Sequence, residues 1–366
     1  YTLVKAFYPK EDIEMYGTWE EEGPKDYEKL VSISYGDRVV IGVHTREHTL
    51  EDSAPYDEKE DRKKRKNTLK QILYKLLVQE TGQTLPWGNL TGIRPVKIAM
   101  GLIEEGMTNA QAADFMRKTY FTSNEKTALA IAIANRERDI LKDIDYKRGY
   151  SLYVGIPFCP SICLYCSFSS SPLEKWRDRV EDYLTALLKE LDFISQAMKD
   201  RPLNTIYIGG GTPTTLEPDQ LRRLLGYIQE RFPVKDISEY TIEAGRPDSI
   251  TREKLMAIRE FPVTRISVNP QTMNQKTLEI IGRRHTVEDT VRAFELARDC
   301  GFDNINMDLI VGLPGEHKAD VEHTLEEVKR LAPDSLTVHS LAVKRAARLN
   351  IFRDQYQEMT FENNQE

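Results

Sequence analysis

Apolar and polar positions follow two different rhythms along this chain, and the change falls near residue 148. The first ~50 residues carry β-type signals. Leu30–Tyr35 and Arg38–His44 are β-branched runs separated by Gly36-Asp37, which predicts a hairpin. From Thr68 the period becomes helical, with Leu69, Ile72, Leu73, Leu76 and Leu77 on one face. Trp87–Leu90 and Gly92–Pro95 interrupt it. Two or three further helices follow, one capped by Thr108 or Asn109 and another by Ser123 or Asn124. From Ser151 a new texture begins, of strand, Gly-rich or polar loop, then helix. Strands are expected at Ser151–Ile156, Asn204–Ile208, Glu239–Ala244, Thr264–Val268, Asn304–Ile310 and Ser335–Val338. Between them lie helical stripes such as Leu184, Leu187, Leu191 and Ile194, and another helix from about Pro218. Strands alternating with helices predict a parallel sheet. The expected fold is therefore α/β: a partial or closed (β/α)6 barrel over 149–345 after a smaller N-terminal α+β domain over 1–148. After His339 the alternation is lost, and 346–366 reads as the start of a C-terminal region that is cut short.

Composition narrows the function classes. At 366 residues the chain suits about two domains. With 51 basic against 58 acidic side chains the net charge is -7, which argues against a generic nucleic-acid binder. The basic run Arg62–Lys66 follows the acid-rich stretch from Glu51 and reads as a solvated connector into a helix. No uncharged apolar run reaches the ~18 residues that span a bilayer, and no signal-peptide pattern opens the chain. The expected setting is cytoplasmic. The first residue is Tyr1 rather than Met, as in a chain that lacks its start. Four cysteines are too few for a disulfide framework, yet three of them, Cys159, Cys163 and Cys166, fall within eight residues.

That crowding is a metal signal. The spacing C-x3-C-x2-C sits in the loop after the first barrel strand. Three thiolates on a short loop can hold three corners of a 4Fe-4S cubane and leave the fourth iron open. A structural zinc site wants four ligands, and no further Cys or His lies nearby; Cys300 reads as a free buried thiol. Gly209-Gly210-Gly211 follows the second strand, where missing side chains let the backbone approach a ligand, although a plain strand-to-helix turn reads the same way. Active sites of β/α barrels lie at the C-terminal ends of the strands, where both motifs fall.

Several phrases resemble the oxygen-independent coproporphyrinogen III oxidase family of radical S-adenosylmethionine enzymes. They are Leu152–Cys159, Tyr207–Thr214, Ile242–Ala244, Arg265–Gln271, Gly282–Thr286 and Met307–Pro314. The wording Glu243–Ser249 and Leu336–Arg345 is most similar to the HemZ branch. The resemblance implies a radical-SAM barrel, a 4Fe-4S cluster on Cys159, Cys163 and Cys166, and S-adenosylmethionine, held as two molecules. It implies that Gly210, Gly211 and Thr212 meet the methionine end and that Glu243 accepts a hydrogen bond. Asp308 would bind paired ribose hydroxyls, with Gln271 nearby. Arg283 would fork onto the cofactor carboxylate, Tyr153 and Tyr165 would match the family's aromatic positions, and Ala342 would pack against adenine. The implied reaction turns propionates of coproporphyrinogen III into vinyl groups, giving protoporphyrinogen IX, with electrons from a flavodoxin- or ferredoxin-type donor. Arg246, His339, Lys344, Arg345 and Arg348 are the expected cations for the propionates.

Two departures stand out. Gly155 occupies the place where the family carries a histidine, and no fourth cysteine follows Cys166. Two alternatives therefore stay open: a sibling of the same fold that traffics haem or modifies another tetrapyrrole, and a non-enzymatic zinc or RNA-binding module.

Overall fold

The structure, a computed structural model, describes residues 1–17, 27–92, 94–344 and 346–351. It separates into two compact units, Tyr1–Asp143 and Ile144–Glu366.

In the first unit three antiparallel strands pair in the order β1 (Lys29–Tyr35), β2 (Arg38–Thr45), β3 (Thr49–Pro55). Val39, Ile41 and Val43 of β2 pack with Ile72, Leu73 and Leu77 of the helix Arg62–Thr81. The expected hairpin forms, but β3 lies where the sequence reads as a charged connector. Its side chains Glu51 and Asp52 face solvent, and it is held through backbone pairing from Arg38↔Pro55 to His44↔Thr49. The basic run is likewise helix rather than connector. Asp61 caps that helix, accepting from the amides of Lys63 and Lys64, so a carboxylate stands at the end where five cations oppose the helix dipole. A short helix, Thr2–Phe7, adds Leu3 and Phe7 to the same core, in a stretch where only β signals are expected. Three further helices, Pro95–Glu104, Asn109–Tyr120 and Asn124–Leu141, build a second small core, and Thr108 and Ser123 cap the last two.

The second unit carries eight strands among the described residues. They are β4 (Tyr150–Ile156), β5 (Phe158–Cys159), β6 (Ser171–Pro172), β7 (Leu203–Gly210), β8 (Glu239–Gly245), β9 (Arg265–Val268), β10 (Ile305–Val311) and β11 (Ser335–Ser340). Six of them form one parallel sheet in the order β11-β10-β9-β8-β7-β4, each beside its neighbour in sequence. Among the described residues β4 and β11 are its two edges, so the arc they bound is a partial (β/α)6 barrel.

Strand geometry sends alternate residues to opposite faces. One face is aliphatic, with Val154, Ile208, Ile242, Ile266 and Met307 all buried in the core formed with the helices. The helices Val180–Ala197 and Pro218–Arg231 meet it through Leu184, Leu187, Leu224 and Leu225. The other face is polar: Tyr153 pairs in register with Tyr207, and Asn306 bonds Ser267, Asp308 and Thr337. At β11 the aliphatic face ends without cover among the described residues, and Leu336 and Val338 are exposed.

Candidate functional site

The cysteines lie on a loop that leaves β4 at its C-terminal end. Cys159 closes β5, and the pairs Phe158↔Ser171 and Cys159↔Pro172 tie the loop's two ends together. Between them the backbone is pinned at three points. Leu164 N–H donates to the Ile281 carbonyl at 2.9 Å, Cys166 N–H to the Cys163 carbonyl at 3.2 Å, and Ser161 Oγ to the Gly282 carbonyl at 2.9 Å. Cys159 and Cys163 are buried, Cys166 half-buried, and none is in a disulfide. Burial pushes the thiols of Cys159 and Cys166 up; the Thr212 hydroxyl, 3.7 Å from Cys159 Sγ, works against it.

Among the described residues no three His, Cys, Asp or Glu side chains converge on a point where one metal ion would sit. A cubane asks for something else, because each thiolate meets a different corner iron and the sulfurs stand around the cluster. Three cysteines on a pinned loop, two of them buried, fit that demand.

The glycine run explains itself by what surrounds it. A Cβ on Gly211 would lie 2.6 Å from the Phe158 carbonyl and 2.9 Å from Cys159 Sγ. On Gly209 it would meet Tyr207 Cε1 at 2.8 Å and Glu243 Cδ at 3.3 Å. Gly210 holds φ of 106°, in the left-handed region that favours glycine. The run therefore forms a ridge wedged between the cysteine loop and the polar wall of the sheet, and Thr212 is buried beside it.

On that wall Tyr207 donates a short hydrogen bond to Glu243, and the exposed ring of Tyr153 stacks on Tyr207 at 5.8 Å and 10°. Burial raises the Glu243 carboxyl, the Tyr207 bond opposes the rise and the Asp308 charge adds to it. Burial, and then the Glu243 charge, raises the Tyr207 phenol. Asp308 accepts from Asn306 Nδ2 at 2.7 Å. Gln271 is tied to the same strand: its N–H donates to the Asp308 carbonyl and its carbonyl accepts from Ile310, both at 2.9 Å. This double pairing holds it at φ 70°, a conformation that costs a non-glycine residue about 1 kcal/mol or more.

Arg283 is buried against the cysteine loop. Nη1 donates to the Asn269 carbonyl at 2.5 Å and Nη2 to Tyr165 Oη at 3.2 Å, while buried Nε has no partner. Each terminal nitrogen carries a second N–H beyond these bonds, so the guanidinium keeps donors besides Nε. The orphaned Nε is one donor a bound group would satisfy. Ala342 is exposed just beyond β11, at the other end of the strand order from β4.

One expected substrate cation is corrected outright. Arg246 is buried, with all three guanidinium nitrogens engaged. His339, Lys344 and Arg348 are exposed, and Arg345 lies outside the described residues. Cys300 is buried, as expected. Two members of the site escaped sequence reasoning, Tyr207 and Asn269. The available signal for Tyr207 was its two-residue spacing from Gly209, which puts both on the polar face.

A cysteine loop at the mouth of an open β/α arc, with a glycine ridge against its first cysteine, defines a class. Residues 153–328 match the model of the Radical SAM superfamily. The chain belongs to that superfamily and, within it, to the oxygen-independent coproporphyrinogen III oxidase-like family. It is 40% identical over 365 residues to the oxygen-independent coproporphyrinogen-III oxidase-like protein HemZ of Bacillus subtilis, covering 97% of this chain and 72% of that one. It is also 40% identical over 195 residues to the heme chaperone HemW of Bacillus subtilis, covering 53% of this chain and 51% of HemW. The solved structure of the coproporphyrinogen III oxidase HemN from Escherichia coli, a radical SAM enzyme, superimposes with a TM-score of 0.52 at 28% identity. That match covers 60% of this chain and 49% of HemN, so the chain spans about half the length of HemW and HemN. Membership brings the cofactors with it: a 4Fe-4S cluster and S-adenosylmethionine. Among the described residues no helix is long and apolar enough to cross a membrane.

Proposed function

We propose that the chain carries out oxygen-independent oxidative decarboxylation of coproporphyrinogen III, converting propionates to vinyl groups and giving protoporphyrinogen IX. The observation that carries this reading is the meeting of cysteine loop, glycine ridge and the Tyr207–Glu243 wall at the C-terminal ends of β4, β7 and β8. Cys159, Cys163 and Cys166 hold three irons of the cluster. Gly210, Gly211 and Thr212 seat the methionine end of S-adenosylmethionine, where only bare backbone fits. Glu243 and Asp308 accept its polar groups, Gln271 positions Asp308, and Arg283 offers Nε. Tyr153 and Tyr165 line the two ends of the site, and Ala342 leaves room for adenine. Bound together, cluster and S-adenosylmethionine supply a hydrogen-abstracting carbon radical. Each of the two propionates that react loses one hydrogen atom from its β-carbon, then carbon dioxide and one electron, which an external acceptor takes; the other two propionates remain. Flavodoxin or ferredoxin is the class of donor for the reducing electron, and a reducing cytoplasm suits three unpaired thiols.

The test is anaerobic turnover of reduced, reconstituted protein with coproporphyrinogen III and S-adenosylmethionine, read by product mass spectrometry. Vinyl product together with 5′-deoxyadenosine supports the reading. Stoichiometric haem binding without decarboxylated product overturns it. That outcome would favour a second reading, haem handling, which rests on a specific observation. Gly155 stands where the family carries histidine, and the chain is 40% identical to the heme chaperone HemW over 195 residues.

A further inference from the structure

Arg246 directly follows β8 and is 3% exposed. A guanidinium cannot lose its charge at ordinary pH, so burying one requires every donor to be met. Here Nε and Nη2 fork onto the two oxygens of Asp248 at 3.0 and 2.8 Å. Nη1 turns the other way, into the cysteine loop, where it meets the Ser161 carbonyl at 3.1 Å, Ser161 Oγ at 2.7 Å and Cys163 Sγ at 3.9 Å. Ser161 passes the connection on, donating to the Gly282 carbonyl. At 3% exposure the guanidinium is not presented to a substrate carboxylate.

The three cysteines are therefore not equivalent. Cys159 has the neutral Thr212 hydroxyl at 3.7 Å, and the side-chain partner of Cys166 is the neutral hydroxyl of Ser170. Cys163 alone has an Arg246 nitrogen within hydrogen-bond reach of its sulfur, at 3.9 Å and shared with Ser161, and Arg283 also faces it. Negative charge on a cluster is held partly on its ligating sulfurs, and donors aimed at those sulfurs favour the more reduced form. Asp248, forked to the same guanidinium, offsets part of that cation.

We infer that the Arg246–Asp248 pair is a positioning device for the cluster: Arg246 clamps residues 161–163 to the end of β8 and raises the reduction potential through Cys163, while Asp248 restrains the rise. The inference rests on Cys163 being a cluster ligand.

Its test uses the full chain, reconstituted anaerobically without substrate. The readouts are iron and sulfide content, the midpoint potential from an electron paramagnetic resonance titration, and the rate of iron loss to a chelator. Arg246→Gln is expected to shift the potential to more negative values and speed iron loss about tenfold to a hundredfold. Arg246→Lys keeps the charge but not the fork, so it restores part of the potential while the loop still loses iron quickly. Asp248→Asn shifts the potential in the opposite direction, to more positive values, a sign reversal that loosened packing would not produce. Equal potentials and equal iron loss in wild type and Arg246→Gln overturn the inference. If Arg246→Gln is not recovered folded, an unmoved potential in Asp248→Asn does so. Failure of the ligand reading looks different: a Cys163→Ala variant would then hold a full cluster.

Discussion

The two faces of the six-stranded arc solve opposite problems with the same backbone. On the covered face Val154, Ile208, Ile242 and Ile266 are each at most 2% exposed and belong to one hydrophobic core. On the polar face neighbouring strands present Tyr153, Tyr207, Glu243, Ser267, Asn306 and Asp308, joined to one another by hydrogen bonds and ring stacking. The first face contributes stability by removing aliphatic surface from water. The second gives up that stabilisation to keep polar groups ready for a ligand, and the glycine ridge sits where it meets the cysteine loop. Substitutions on the two faces should therefore fail in different measurements.

The largest effect is expected at the ridge. Gly211→Ala drives a Cβ into the Phe158 carbonyl and Cys159 Sγ, so the protein should fold yet lose most of its iron and its S-adenosylmethionine binding. Full iron content in that variant would show that the ridge and the loop can separate. On the covered face Ile242→Ala should cost about 2–5 kcal/mol in denaturant unfolding, with the metal site intact once folded. Thr205→Ala on the other face, half-buried and bonded to Ser151 Oγ, should cost about 0.5–1 kcal/mol. Equal costs at these two positions would erase the distinction between the faces.

His285 adds a buried polar group with no hydrogen-bond partner at either ring nitrogen. Burial, and then the charges of Arg283 and Arg246 against those of Asp248 and Asp289, lowers its pKa to about 4. The unfolded chain takes up the proton first, so the stability held by the neutral ring is complete above about pH 6.5 and is lost as pH falls toward 4. The loss should approach 3 kcal/mol, roughly. His285→Leu should unfold with a flatter acid limb across that window; an unchanged limb would mean the ring is protonated in the native state.

Smaller effects separate charge from shape on the polar wall. Tyr207→Phe removes the donor that stabilises charged Glu243, whose carboxyl burial already raises, so S-adenosylmethionine affinity should fall about tenfold, and further as pH is lowered. Gly155→Ala should change least, because its Cβ meets only Tyr153 Cε1 at 3.6 Å, an ordinary contact. If it behaved like Gly211→Ala, the contrast between the two glycines would be void.

How much was legible follows the same division. The covered face was readable strand by strand, since a buried parallel strand must be a short aliphatic run wherever it sits. Thr108 and Ser123 announced their helices because a cap acts within four residues. β3 was invisible: Thr49–Pro55 has almost no apolar pattern, and β2's backbone alone makes it a strand. Arg246 was misread for a related reason. As an arginine near a site it suggested a substrate carboxylate, while its partners Ser161 and Cys163 lie more than eighty residues earlier.

The sequence by itself determined the elements whose cause is local: the aliphatic strands, the capped helices, the three-cysteine spacing and the glycine run. Only the tertiary structure decided that the described strands form an open arc, that Tyr207 faces Glu243, and that Arg246 meets the cysteine loop. The reason is physical. Burial patterns and caps act over a few residues of chain, whereas a buried charge or an orphaned donor is settled by whichever distant groups the fold brings within about 3 Å.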